Sequence, residues 1–271
     1  MIDRPSDILV VGSGIFGITA ALELRRRGRS VGIVAVDPTS PFTHGALLGD
    51  RIRMQELTQD SQVFIRSMAS RGELGGLAPA TAEVAAVLDA AGKDLVLIET
   101  VGAGQDEIEV ASAAETTVVV LTPAAGDEVQ AMKAGIMEVA DILVMNKGDL
   151  PGAEAAMAQL FALVAMAARG NAETPVLQTI ATKREGVAEL ADAIEEHRRG
   201  LEASGALEEQ RLARARHQVL AFARHRLLAG LVDATKRDGR LDELVRSVAA
   251  RELDPYAAAE QLTAAAEGTA T

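Results

Sequence analysis

The chain of 271 residues has no cysteine and no tryptophan, and aromatic residues make up only 2% of it. Without thiols there is no disulfide framework and no thiolate metal site, which fits a reducing compartment. So few rings also exclude a surface that holds bases by stacking on aromatic side chains. Positive charge is short as well. Lys and Arg number 27 against 39 Asp and Glu, a net charge of −12, and this argues against a nucleic-acid partner. No basic-then-apolar leader opens the chain, and no apolar run nears the roughly 20 residues that span a bilayer. The expectation is a cytoplasmic protein with no membrane partner.

What is present is 48% hydrophobic and 24% charged residues, enough for an ample α/β core at this length. Charge is unevenly spread. Basic residues outnumber acidic ones over 198–251, while the remainder is strongly acidic. That shift suggests a domain of residues 1–199 and a helical extension of residues 200–271.

Short apolar runs punctuate the first part: 7–11 (DILVV), 31–36, 63–67, 95–98 (LVLI), 117–121, 142–145 and 175–178. Helical stretches alternate with them, at about 19–27, 79–91, 153–169 and 187–199. About seven strands separated by helices predict an α/β fold with a mainly parallel, doubly wound sheet. Past residue 200 the strands stop. Leu212, Val219, Leu220, Leu227, Leu228 and Leu231 recur at helical spacing, and Asp254-Pro255 reads as a cap opening a last helix. The four histidines, at 44, 197, 217 and 225, show no ligand spacing.

Four strand ends carry chemistry. The first run opens onto Gly12-Ser13-Gly14-Ile15-Phe16-Gly17-Ile18-Thr19, a bare-backbone loop suited to an anion above a helix N-terminus. It fits two templates. As G-x-G-x-x-G it uses Gly12, Gly14 and Gly17, with Asp37 placed to hold a ribose hydroxyl. As a lysine-bearing phosphate loop it uses Gly12, Gly17 and Thr19, with Ile18 where the lysine belongs. A glycine turn that only packs helix on strand is the plainer alternative. Beyond Val36, Asp37, Thr39, Ser40, Thr43 and Asp50 form a loop rich in hard oxygen donors of the kind Mg²⁺ prefers, or a polar surface loop. Glu99 follows four apolar residues and precedes Gly102; an acid at a strand tip followed by glycine can hold Mg²⁺ beside a γ-phosphate.

The fourth end is DILVMNKGD, residues 141–149. A buried strand delivering Asn146-Lys147-Gly148-Asp149 is the pattern of a guanine-reading loop. An ionised carboxylate accepts two parallel donors, which guanine offers and adenine does not. Asp149 would choose the base, Asn146 would tie loops together, and the Lys147 stem would cover the base plane. A polar strand-to-helix turn is the alternative.

With these residues, the chain resembles the MeaB/ArgK family of P-loop GTPases from about residue 31 to the end. The blocks are VDPTSPFTHGALLGDRIRM, RGELGGLAPAT, DLVLIETVGAGQ, GDEVQAMKAG, DILVMNKGD and ELDPYAAAEQL. The resemblance implies a SIMIBI-type G domain using GTP/GDP and Mg²⁺. It places Thr19, Asp37, Asp50 and Glu99 around the metal, and makes Glu99, Asp50 and Gln105 catalytic. Gly12, Ser13, Gly14, Gly17, Ile18, Thr19, Gly102, Asn146, Lys147, Asp149 and Ala181 would contact nucleotide. Asp127, Gln130 and Lys133 would form a switch facing a cobalamin-dependent acyl-CoA mutase such as methylmalonyl-CoA mutase, and the C-terminal helices would support a homodimer. The family couples GTP hydrolysis to assembly and protection of that mutase.

Two departures bear on activity. Ile18 cannot neutralise a phosphate, and removing one positioned donor typically costs on the order of 10²–10³ in rate. Residues 7–31 also resemble the FAD-binding start of D-amino-acid-oxidase-like flavoproteins, so the chain reads as a mosaic. A FAD- or NAD-binding oxidoreductase fragment using Gly12, Gly14 and Gly17, and a nucleotide-independent interaction module, are the competing functions.

Overall fold

The computed structural model describes residues 6–11, 15–38, 60–70, 77–100, 114–123, 139–167 and 174–267. The strands are β1 (Ser6–Val11), β2 (Val31–Pro38), β3 (Val63–Ser70), β4 (Leu95–Thr100), β5 (Thr116–Leu121), β6 (Ile142–Met145) and β7 (Val176–Gln178). They form one parallel sheet in the order β3-β2-β4-β1-β5-β6-β7.

Alternation along the strands explains the layering. Ile33, Ala35, Leu95, Leu97, Val118, Ile142 and Val144 face one side, against Ala20, Ala21 and Leu24 of α1 (Ile15–Arg26) and Leu190 and Ile194 of α4 (Val187–Ser204). Val34, Val36, Val96 and Ile98 face the other, against Ala85 and Leu88 of α2 (Leu77–Ala90). Val119, Leu121, Leu143 and Met145 share that second side with Ala156, Leu160 and Val164 of α3 (Ala153–Ala167). A sheet covered on both faces needs apolar residues at consecutive positions, and that is why its central strands read as unbroken runs.

The chain leaves β1 toward β2 on one side and later crosses from β4 to β5 on the other. Its direction across the sheet therefore reverses at β1. In open α/β sheets the ligand crevice lies at the carboxyl ends beside such a point.

Several boundaries differ from those expected. Helix α1 starts at Ile15 rather than near residue 19, so Gly17 and Ile18 lie within its first turns. Strand β3 continues to Ser70, and β2 runs through Asp37 and Pro38. The helix expected to end at 199 runs on: α4 continues to Ser204 and stops at Gly205, whose φ of 77° suits only glycine without strain. An exposed glycine inside a helix, such as Gly200, costs only about 1 kcal/mol and does not end it.

Contacts divide the chain into two compact units, residues 1–215 and 216–271, with the division inside α5 (Ala206–Arg237). In the second unit α6 (Arg240–Ala249) packs with α7 (Pro255–Glu267). Asp254 caps α7 as expected, its Oδ1 accepting from the amides of Tyr256 (2.9 Å) and Ala257 (3.0 Å). Val219, Leu220, Leu227 and Leu228 of α5 are exposed. Among the described residues, no helix is long and apolar enough to cross a membrane.

Candidate nucleotide site

At the carboxyl edge the register places the acids. Glu99 pairs laterally with Val10 on β1 and Ala35 on β2, and Val36 pairs with Thr100, so Asp37 stands one residue beyond the end of β4. Glu99 is buried, with 2% exposure. Its carboxylate lies against the backbone of Gly17: a methyl group there would sit 2.6 Å from Oε2. Gly17 is thus the residue that lets the head of α1 approach the tip of β4.

Thr19 is also buried, and its Oγ1 donates to the Ala181 carbonyl at 3.4 Å. Two helical residues are separated by about 200° around the axis. The same helix therefore meets Glu99 with Gly17 and the loop after β7 with Thr19.

Three strand spacings away from β4, about 14 Å, β6 delivers the second half of the site. Asn146 is buried and joins two loops. Its N–H donates to Leu121 O (2.8 Å), and its Oδ1 accepts from Thr179 Oγ1 (3.2 Å) and the Ala181 amide (3.1 Å). Lys147 adopts φ 58°, a left-handed conformation that costs a non-glycine residue roughly 1 kcal/mol and tends to occur at functional loops. This geometry turns the chain so that Gly148 N–H reaches Thr179 O at 3.1 Å and Leu150 N–H reaches Lys147 O at 3.0 Å.

Asp149 is partly exposed and faces Lys183 of the 3₁₀ turn Ala181–Lys183, Nζ to Oδ2 3.0 Å. The lysine's hydrogen bond holds the Asp149 carboxyl below its ordinary range, and the carboxylate in turn raises the Lys183 ammonium. Lys183 escaped the sequence reading because its partner is distant in the chain and nothing local marks it.

The edge therefore brings Gly17, Thr19, Glu99, Asn146, Lys147, Asp149 and Ala181 to one end of the sheet, with the Asp37 and Ile18 backbones beside them. Gly12, Ser13, Gly14, Asp50, Gly102, Gln105, Asp127, Gln130 and Lys133 lie outside the described residues. Among the described residues, no three His, Asp or Glu side chains are grouped as a metal site.

Known proteins resemble this chain. The profile of the methylmalonyl-CoA mutase-associated GTPase family MeaB matches residues 11–236, so the similarity includes the glycine loop and begins N-terminal to residue 31. A Pyrococcus abyssi protein classed by name among GTPases is 47% identical over 244 residues, covering 89% of this chain and 75% of that protein. The mouse (Mus musculus) mitochondrial methylmalonic aciduria type A homolog is 37% identical over 193 residues, 69% of this chain and 46% of that one. The crystal structure of an LAO/AO transport system kinase superposes with a TM-score of 0.68 at 25% identity, covering 97% of this chain and 82% of that one. The hydrogenase maturation factor HypB of Archaeoglobus fulgidus, at 21% identity and a TM-score of 0.50 over 72% of this chain and 90% of that one, shares the P-loop GTPase fold. The chain belongs to the MeaB family of methylmalonyl-CoA mutase-associated GTPases.

Proposed function

We propose that this GTPase reads guanine with Asp149, holds Mg²⁺ with Glu99, Asp37 and Asp50, and turns over slowly because Ile18 replaces the phosphate-loop lysine. The observation that carries the reading is that Glu99 and the Asn146–Asp149 loop emerge at one carboxyl edge, on either side of β1. The donors suit the ion: a buried carboxylate against the bare Gly17 backbone is a hard-oxygen ligand beside a helix head. Mg²⁺, when bound, would neutralise charge on the phosphates. The chain's own contribution is to orient the nucleotide between α1 and the base loop.

By family membership, the nucleotide cycle of this protein serves assembly or protection of a cobalamin-dependent acyl-CoA mutase. The segment carrying Asp127, Gln130 and Lys133 would face that partner. The exposed leucines of α5 support a homodimer built through the C-terminal helices. A reducing cytoplasm suits a chain without cysteine.

Calorimetry with GDP, GTP, ATP and FAD on one preparation tests the reading. Mg²⁺-dependent binding selective for GDP and GTP is expected. Equal affinity for ATP and GTP would defeat it. Tight FAD binding would favour the oxidoreductase reading based on Gly12, Gly14 and Gly17, and mutase binding indifferent to nucleotide would favour the interaction module.

A further inference from the structure

An apolar groove opens between α2 and the edge strand β3. Gly32 on β2 explains it: a methyl group there would sit 2.8 Å from Leu88 Cδ1, so the bare backbone lets α2 settle over β2 and β4. The neighbouring strand β3 is left largely uncovered on that face. Phe64, in register with Gly32, stays 49% exposed, and Val87 on α2 is 66% exposed. Both line a cavity of about 590 Å³ with mainly apolar walls, a size that suits a bound molecule.

The same strand has an open backbone edge. Among the described residues, β3 pairs only with β2, over eight residues of unbroken register. A strand residue turns its N–H and C=O to one side, and its successor turns them to the other. Gln62 O accepts from Val31 N–H at 3.0 Å, so Phe64 and Arg66 also turn theirs toward β2. Ile65 and Ser67 direct their peptide groups outward. Long edges are usually blunted by proline, lysine or a bulge, and β3 has none of these.

Charge selects the occupant. Arg66 and Lys93 line the groove with Glu83 as its one acid, in a chain of net charge −12. The Lys93 ammonium already donates to Gln62 O at 2.9 Å. Among the described residues, no carboxylate reaches the exposed Arg66 guanidinium. Residues two apart on an added strand share a face. Those beside Arg66 and Phe64 would therefore be an acid and, two positions away, an apolar residue.

We propose that the groove between β3 and α2 docks an extended segment of another protein as an additional antiparallel strand. An acidic side chain of that segment pairs with Arg66, and an apolar one packs between Phe64 and Val87. Main-chain hydrogen bonds to Ile65 and Ser67 supply affinity, and the alternate side chains supply selectivity.

The test uses a fluorescein-labelled nonapeptide, TTVTETVTT, read by anisotropy against the full-length protein. With its glutamate opposite Arg66, threonines stand opposite Ile65 and Ser67 and a valine opposite Phe64. The controls are TTVTQTVTT and TTVPEPVTT, whose prolines remove the two N–H groups aimed at β3. The wild type should bind the glutamate peptide about tenfold more tightly than either control, the low end for a charge-assisted hydrogen bond. Arg66→Gln should erase the difference between glutamate and glutamine, and Val87→Asp should weaken both. Both positions are exposed, so the two variants should melt with the wild type. Absence of saturable binding, equal binding of the glutamate and glutamine peptides, or undiminished binding of the proline peptide would overturn the proposal. Displacement of the peptide by decanoate at equal concentration would make the groove a small-ligand pocket and overturn it too. So would a wild type that sediments as a larger oligomer than Phe64→Glu, because a second copy would then hold the edge.

Discussion

The Glu99 carboxylate is pressed against Gly17: a Cβ on residue 17 would lie 2.6 Å from Oε2, 2.8 Å from Cδ and 3.2 Å from Oε1. Glu99 is 2% exposed and cannot swing into solvent to make room. Gly17→Ala must therefore displace either α1 or the acid at the tip of β4. Overpacking of this kind costs about 1–3 kcal/mol, visible in urea denaturation. Displacing the acid should also lower phosphate release from GTP at least about tenfold. A Gly17→Ala protein with unchanged turnover would remove Glu99 from the reaction.

Asn146 supplies one acceptor atom to two buried donors, Thr179 Oγ1 and the Ala181 amide. Asn146→Ala leaves both without it. Each unsatisfied group costs about 1–3 kcal/mol, so a loss of roughly 2–6 kcal/mol is expected from the two together. The GDP preference over ADP should fall with it, because the turn carrying Ala181 and Lys183 loses its tether. Denaturation and nucleotide titration on the same variant check both effects.

Acid sensitivity has an identifiable contributor at the opposite end of the sheet. Asp94 Oδ2 accepts from the Ser30 amide at 2.7 Å and from Ser30 Oγ at 2.8 Å, joining the start of β4 to the turn before β2. The Ser30 backbone amide, followed by its hydroxyl, holds the Asp94 carboxyl below the usual range. A carboxyl with a lowered folded pKa stabilises above its unfolded value, near 3.9, and that contribution is lost as pH falls through the folded value. Asp94 is exposed, so the contribution is under about 1 kcal/mol. The melting-temperature gap between wild type and Asp94→Ala should be constant above about pH 5 and close below about pH 4. A gap persisting to the lowest pH would assign the effect to packing instead.

Much of the sheet was legible because a strand buried on both faces has no room for polar residues. Residues 95–98 and 142–145 announce themselves that way. Their spatial order was not legible, since it depends on crossovers rather than on any local pattern. The start of α1 was misplaced because glycines at 12, 14 and 17 read as one loop, whereas Gly17 sits inside the helix to clear Glu99. Gly200 reads in the sequence as the end of α4, yet it lies inside the helix, and Gly205 has the backbone angle that ends it. His197 had no visible role. Its Nδ1 lies 3.0 Å from Thr116 Oγ1 and its Nε2 3.4 Å from Asp141 Oδ1, partners far apart in the chain that meet at the amino ends of β5 and β6. Lys183 was missed for the same reason: ion pairs between loops leave no trace in spacing.

Ile18 separates stability from catalysis. It lies in the first turn of α1, where backbone N–H groups make the environment positive. A lysine placed there without a phosphate is disfavoured by about 0.3–1 kcal/mol, so Ile18→Lys should lower the melting temperature of the nucleotide-free protein slightly. With a bound triphosphate the sign reverses, because the ammonium now neutralises the anion that the helix head attracts. The variant should therefore gain more from GTP and Mg²⁺ in thermal stability than the wild type does. Its turnover should rise by on the order of 10²–10³, the usual worth of one positioned charge donor. Melting curves with and without a non-hydrolysable GTP analogue, beside phosphate-release assays, separate the two effects. A variant that gains neither ligand stabilisation nor turnover would show that the Gly12–Thr19 loop does not meet the phosphates.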